Sequence, residues 1–92
     1  ALMMAALRGH SGVVRQLLAA GALPDHACYW TGMTALMNAA AHGHADTVDA
    51  LLAAGAYPNR RDYMGHTPMT LAAQHGHSDI LYRMLLSFTQ RK

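Results

Sequence analysis

Ninety-two residues suffice for one domain with a small core. The composition is 52% hydrophobic, much of it Ala and Leu, and only 13% charged, with seven cations against five acids, all aspartate. The net charge of +2 is scattered apart from Arg60-Arg61 and Arg91-Lys92, so no phosphate-tracking basic face, and no nucleic-acid partner, is expected.

In chain order, ALMMAALR predicts a short helix rich in small residues, stopped at Gly9. A second helix follows, carrying Leu17-Leu18, and the loop ALPDHACYWTGMT returns the chain. Thr34 is placed to cap a third helix, which Gly43 ends. Asp46 then falls in the first turn of a fourth, where the helix dipole favours negative charge, and Val48, Leu51 and Leu52 form its buried stripe. Gly55 stops it and AYPNRRDYMGHT turns back through Pro, Asn and Gly. Thr67 caps the fifth helix, with Pro68 where its missing N–H is harmless, and Gly76 ends it. Asp79 opens the last helix, which runs on as SFTQRK and suits a terminal cap with cations near its end.

This order repeats itself. ALMMAALRGHSGVVRQLLAAGALPD, from Ala1, lies over ALMNAAAHGHADTVDALLAAGAYPN, from Ala35, at an offset of 34. The latter lies over PMTLAAQHGHSDILYRMLLSFT, from Pro68, at an offset of 33, because the first return loop has one additional residue. Ala5-Ala6, Ala39-Ala40 and Ala72-Ala73 correspond, as do Gly9-His10, Gly43-His44 and Gly76-His77.

GHTPMTLAAQHGHSDILYRMLL resembles the ankyrin-repeat pattern at most fixed positions, and the resemblance covers essentially the whole chain. It implies an all-α solenoid of stacked helix-turn-helix units joined by β-hairpin-like loops. The units run about 1–28, 29–61 and 62–92, two full and the first truncated, in a single domain cut from a longer array. Met3, Met37 and Thr70 stand where the family's Thr-Pro-Leu-His histidine falls, so that imidazole's hydrogen bond is not expected. Leu2, Met3 and Leu7 would leave part of an interface open at the truncated end. Either upstream repeats cover it or the piece self-associates through it, and the sequence favours the first.

The resemblance further implies recognition of a protein or peptide along the loop tips and first helices. The family's variable positions fall on Leu7 and Arg8, then Trp30, Thr31, Met33, Asn38 and His42, then Tyr63, Met64, His66, Leu71, Gln74 and His75. Tyr29 lies beside Trp30, the one tryptophan, and aromatic residues and Arg dominate interface hot spots. Arg8 and the histidines, with no acid among them, suit a neutral or acidic partner bearing an apolar anchor. Asn59 is at the family's loop asparagine, a position open to hydroxylation in the family, although turn stabilisation is its plainer role.

AHGH and QHGH, each with two histidines one residue apart, raise the question of metal. A structural zinc needs four ligands, commonly cysteines, and Cys28 is alone in another loop. His10, His44 and His77 read instead as turn histidines bonding backbone, with His42 and His75 as contact residues. The aspartates show no convergent acid–base spacing, Cys28 beside His26 is no nucleophile site, and the glycines follow the repeat, so neither catalysis nor a cofactor is expected. Two other functions stay open: a spacer slab with no partner of its own, and a His-based metal- or pH-responsive module.

No apolar run is long enough for a membrane span, so no membrane partner is expected. The opening residues do not form a basic stretch leading into an apolar one, as a leader would. A single cysteine forms no internal disulfide and suits a reducing compartment, so cytoplasm or nucleus is the expected location.

Overall fold

The computed structural model describes residues 2–90, with side chains through residue 86. Six helices follow one another: α1 (Leu2–Arg8), α2 (Ser11–Ala19), α3 (Ala35–Ala41), α4 (Ala45–Ala53), α5 (Pro68–Gln74) and α6 (Ser78–Gln90). Consecutive helices pair into three units, and the units stack so that α1, α3 and α5 form an inner row and α2, α4 and α6 an outer one. The last helix continues to Gln90, while the cations expected at its end, Arg91 and Lys92, lie outside the described residues.

The inner helices α3 and α5 begin on threonine. Thr34 Oγ1 accepts from the Met37 N–H at 3.3 Å and Thr67 Oγ1 from the Thr70 N–H at 3.1 Å, satisfying donors that have no partner within a helix. They end on glycine. Gly43, at φ +75°, donates to the Ala40 carbonyl while His44 donates to Ala39, the paired bonds of a Schellman stop. A side chain at Gly43 would be strained twice over, because an added Cβ would also lie 2.8 Å from Cε1 of His77 in the next unit.

Outer helices begin differently. His44 occupies the N-cap of α4 yet makes no side-chain bond to it. Its Nε2 donates instead to the Leu7 carbonyl of the preceding unit at 2.9 Å, and His77 Nε2 donates likewise to Ala41 at 3.2 Å. Asp46 and Asp79 supply the negative charge in the first turns of α4 and α6. The Gly-His pair thus closes each inner helix, and in the second and third units its histidine pins the unit to the one before. The ring of His10, expected to bond backbone likewise, has no hydrogen-bond partner among the described residues.

The core is narrow because alanine makes it so. Ala39 and Ala40 are fully buried, letting α1 and α5 approach α3 closely from either side, and Leu36, Met37, Val48 and Leu51 fill the space around them. Among the described residues no strand forms. Each hairpin-like loop has two backbone bonds: Cys28 N–H to the Met33 carbonyl at 2.8 Å and Gly32 N–H to Cys28 at 2.7 Å in the first, Asp62 N–H to His66 at 3.0 Å and Gly65 N–H to Asp62 at 3.1 Å in the second. These are too few to make a ladder, so the all-α class holds and the hairpins are turns.

Candidate binding surface

The two loop tips are built on the same plan with different acceptors. In the second, Asp62 Oδ1 accepts from the N–H groups of Met64 at 2.9 Å and His66 at 2.8 Å, while the His66 ring sits 3.3 Å from Oδ2. Burial pushes the Asp62 carboxyl up, but the His66 backbone and ring bonds, that ring's charge and the Met64 N–H together hold it below the usual aspartate value. In the first tip Cys28 stands at the closing position that Asp62 holds in the second. The Thr31 hydroxyl, then the N–H groups of Trp30 and Thr31, draw its thiol below the ordinary value. Thiol and carboxylate play one role, acceptor for the turn.

The tips are locked to each other. Tyr63 donates its N–H to the Thr31 carbonyl at 3.0 Å and its hydroxyl to the Tyr29 carbonyl at 2.9 Å. Its ring lies over Gly32, where an added Cβ would come within 2.6 Å of Cδ1 and φ is +75°. Gly32 is therefore there to admit a neighbour's ring. Tyr29 and Trp30 meet edge to face with centroids 5.2 Å apart, a favoured aromatic geometry. Even so, the tips remain in water: Trp30 is 82% exposed, Met64 81%, Tyr29 79% and Tyr63 69%.

Behind the tips lie the ends of the inner helices. Arg8, His42 and His75 occupy one register in successive units, and all three are exposed, as is Gln74. His42 Nδ1 donates to the Asn38 carbonyl of its own helix at 2.9 Å, and its ring stacks on His44 at 6.2 Å, as His75 does on His77 at 6.4 Å. Arg8 is the only formally charged residue on α1, α3 and α5, whereas the outer helices α4 and α6 carry Asp46, Asp49, Asp79 and Arg83. Charge is thus segregated by face. Among the described residues no group of three or more His, Cys, Asp or Glu is placed to hold a metal ion.

The expected contact residues do not all reach this surface. Thr31 is exposed, while Met33, Leu7 and Asn38 are half-buried. The half-buried His66 ring is turned onto Asp62 and serves the turn. Leu71 is 7% exposed and belongs to the core, which corrects its assignment as a contact. Its register explains this: Met4 in the first unit is 55% exposed, Asn38 half-buried and Leu71 covered, as stacking closes over the position. The sequence reading missed the Tyr63–Gly32 lock, whose only signal was a glycine inside an otherwise aromatic tip.

The family model of ankyrin repeats in three copies matches residues 1–91, nearly the full length. The chain belongs to the ankyrin-repeat family. No curated protein matches it significantly. Ankyrin repeats are in general non-catalytic modules of protein–protein interaction. Here that generality meets two interlocked tips with exposed aromatic and Met side chains, beside an inner face without acids. Among the described residues no helix is long and apolar enough to cross a membrane.

Proposed function

We propose that this ankyrin domain is an adaptor or scaffold module that holds a protein or peptide segment against its loop tips and inner-helix ends. The observation that carries the reading is the exposure of Tyr29, Trp30, Tyr63 and Met64 on adjacent tips. A spacer slab would pack such side chains against neighbours, whereas a contiguous apolar ridge in water suits a partner. The partner is neutral or acidic with an apolar anchor, since Arg8, His42 and His75 line one register with no carboxylate on their helices. The anchor seats beside Trp30 and Met64, and an acidic group pairs with Arg8. With its lone Cys28 the domain works inside the cell, in the cytoplasm or nucleus.

A proteome-derived peptide display screen tests this, run on the native chain and on Trp30→Ala plus Met64→Ala. These two side chains are exposed above 80%, so their removal spares the fold, whereas Tyr63 also locks the tips. One enriched motif, weakened about 30-fold or more by the double change, is the expected result. A folded native chain that enriches nothing would leave the spacer reading in its place.

A further inference from the structure

The inner helices end in a row of charged or chargeable side chains. Arg8 closes the last turn of α1, and His42 and His75 occupy the C-caps of α3 and α5 at the same register. Carbonyls without helical partners gather at such ends and present partial negative charge, which accommodates a cation. His42 is exposed although units pack against its own on both sides, so the row lies open along the stack and not only at an end of it.

The bonding of His42 fixes where its second proton goes. A carbonyl oxygen only accepts, so Nδ1 carries the hydrogen in the 2.9 Å bond to Asn38, and Nε2 is the nitrogen with a free lone pair. Protonation at Nε2 therefore adds a charge and keeps that bond. The His75 ring has no hydrogen bond among the described residues to lose. His44 and His77, stacked on these rings, are committed differently, since their Nε2 atoms hold the joints between units.

The charged and titratable neighbours are few. On the helices packed against α3, those beside His42 are Arg8 on α1, His44 and Asp46 at the start of α4, and His75 on α5. For His75 they are His42 on α3, with His77 and Asp79 at the start of α6. Among the described residues neither aspartate forms an ion pair with either ring. The row is thus free to face a partner's carboxylates.

We propose that this row makes the peptide surface pH-responsive, holding an acidic segment more tightly as pH falls. The inference rests on the reading that this face binds a partner. Histidine side chains take up their second proton between about pH 8 and about pH 5, a range in which a partner's aspartates and glutamates stay largely ionised. Across it the row passes from one formal positive charge, on Arg8, to three. The His42 bond survives the change and no joint is touched, so the response acts through charge and not through unfolding.

The test is a titration of nitrogen-15-labelled chain, followed by amide shifts, with an acetylated and amidated peptide alternating Leu and Asp. A Leu–Asn peptide of equal length is the control, and circular dichroism checks the fold at each pH. The acidic peptide should bind about fivefold more tightly at about pH 5.5 than at about pH 7.5, with shifts at Arg8, His42 and His75. The control should not distinguish the two. His42→Gln plus His75→Gln, at exposed positions, should remove the pH effect, whereas Arg8→Gln should weaken binding at both pH values and leave their ratio. Equal affinity for the acidic peptide at both pH values overturns the proposal and leaves the partner reading standing. A pH effect that survives the double change overturns it too, and moves the titrating group to His44, His66 or His77. Absence of binding at either pH overturns the row as an acid site, and the display screen then decides separately whether the tips hold a partner of other chemistry.

Discussion

Thr47, fully buried, carries the one described buried side-chain oxygen or nitrogen with no hydrogen-bond partner, its Oγ1. The same register holds Val13 and Ile80, both aliphatic, so nothing in the stack asks for a hydroxyl there. Thr47→Val should therefore raise stability by about 1 kcal/mol, measured by urea denaturation, because the shape is kept and an unpaired polar group removed. Cys28 invites a similar exchange. Its thiol accepts from the turn donors that a carboxylate serves at Asp62, and an ionised acceptor makes stronger bonds than a thiol. Cys28→Asp should therefore raise the urea midpoint at pH 7. The pH dependence follows from Asp62, whose carboxyl is held below its ordinary value in the folded chain. Its stabilisation is present above the unfolded aspartate value, near 4, and is lost as pH falls through the lower folded one. Asp62→Asn should accordingly destabilise at pH 7 and converge with the native chain in strong acid. A constant gap between the two denaturation curves from pH 7 to pH 2 would contradict that assignment.

Helix ends separate what the backbone requires from what stacking requires. Gly43 and Gly76 share a φ of +75°, so replacing either by Ala brings the same backbone strain. Only at Gly43 does the new methyl meet a neighbour, the His77 ring at 2.8 Å. In dilute chain Gly76→Ala should lose about 1 kcal/mol and Gly43→Ala at least about 1 kcal/mol more, the difference measuring the joint between units. The helix boundaries were legible beforehand because each is written locally, as Thr34, Thr67, Gly43 and Gly76 show. The seating of His44 on the preceding unit was legible in kind, since a Gly-His pair recurs at fixed register. The Tyr63 lock was not, because it joins loops about 30 residues apart and leaves no periodic mark. Leu71 was misjudged for a related reason. A variable position in a repeat pattern does not say how far the neighbouring unit reaches over it.

From the central unit to the first, burial falls. Leu36 and Leu51 in the central unit are fully buried, while their counterparts Leu2 and Leu17 are only partly covered. The central unit packs on both sides and each outer unit on one, so stability in such an array is a sum of unit and joint contributions. Two joints for three units leave little to spare, and the outer units have the least to lose by opening. Leu36→Ala should then cost about 3 kcal/mol or more, against about 1 kcal/mol for Leu2→Ala, whose side chain surrenders less buried surface and leaves a smaller cavity. Native-state hydrogen exchange gives the matching signature: amides of α3 and α4 should exchange by global unfolding and those of α1 and α6 by opening from the ends. Equal protection across all six helices would contradict that gradient.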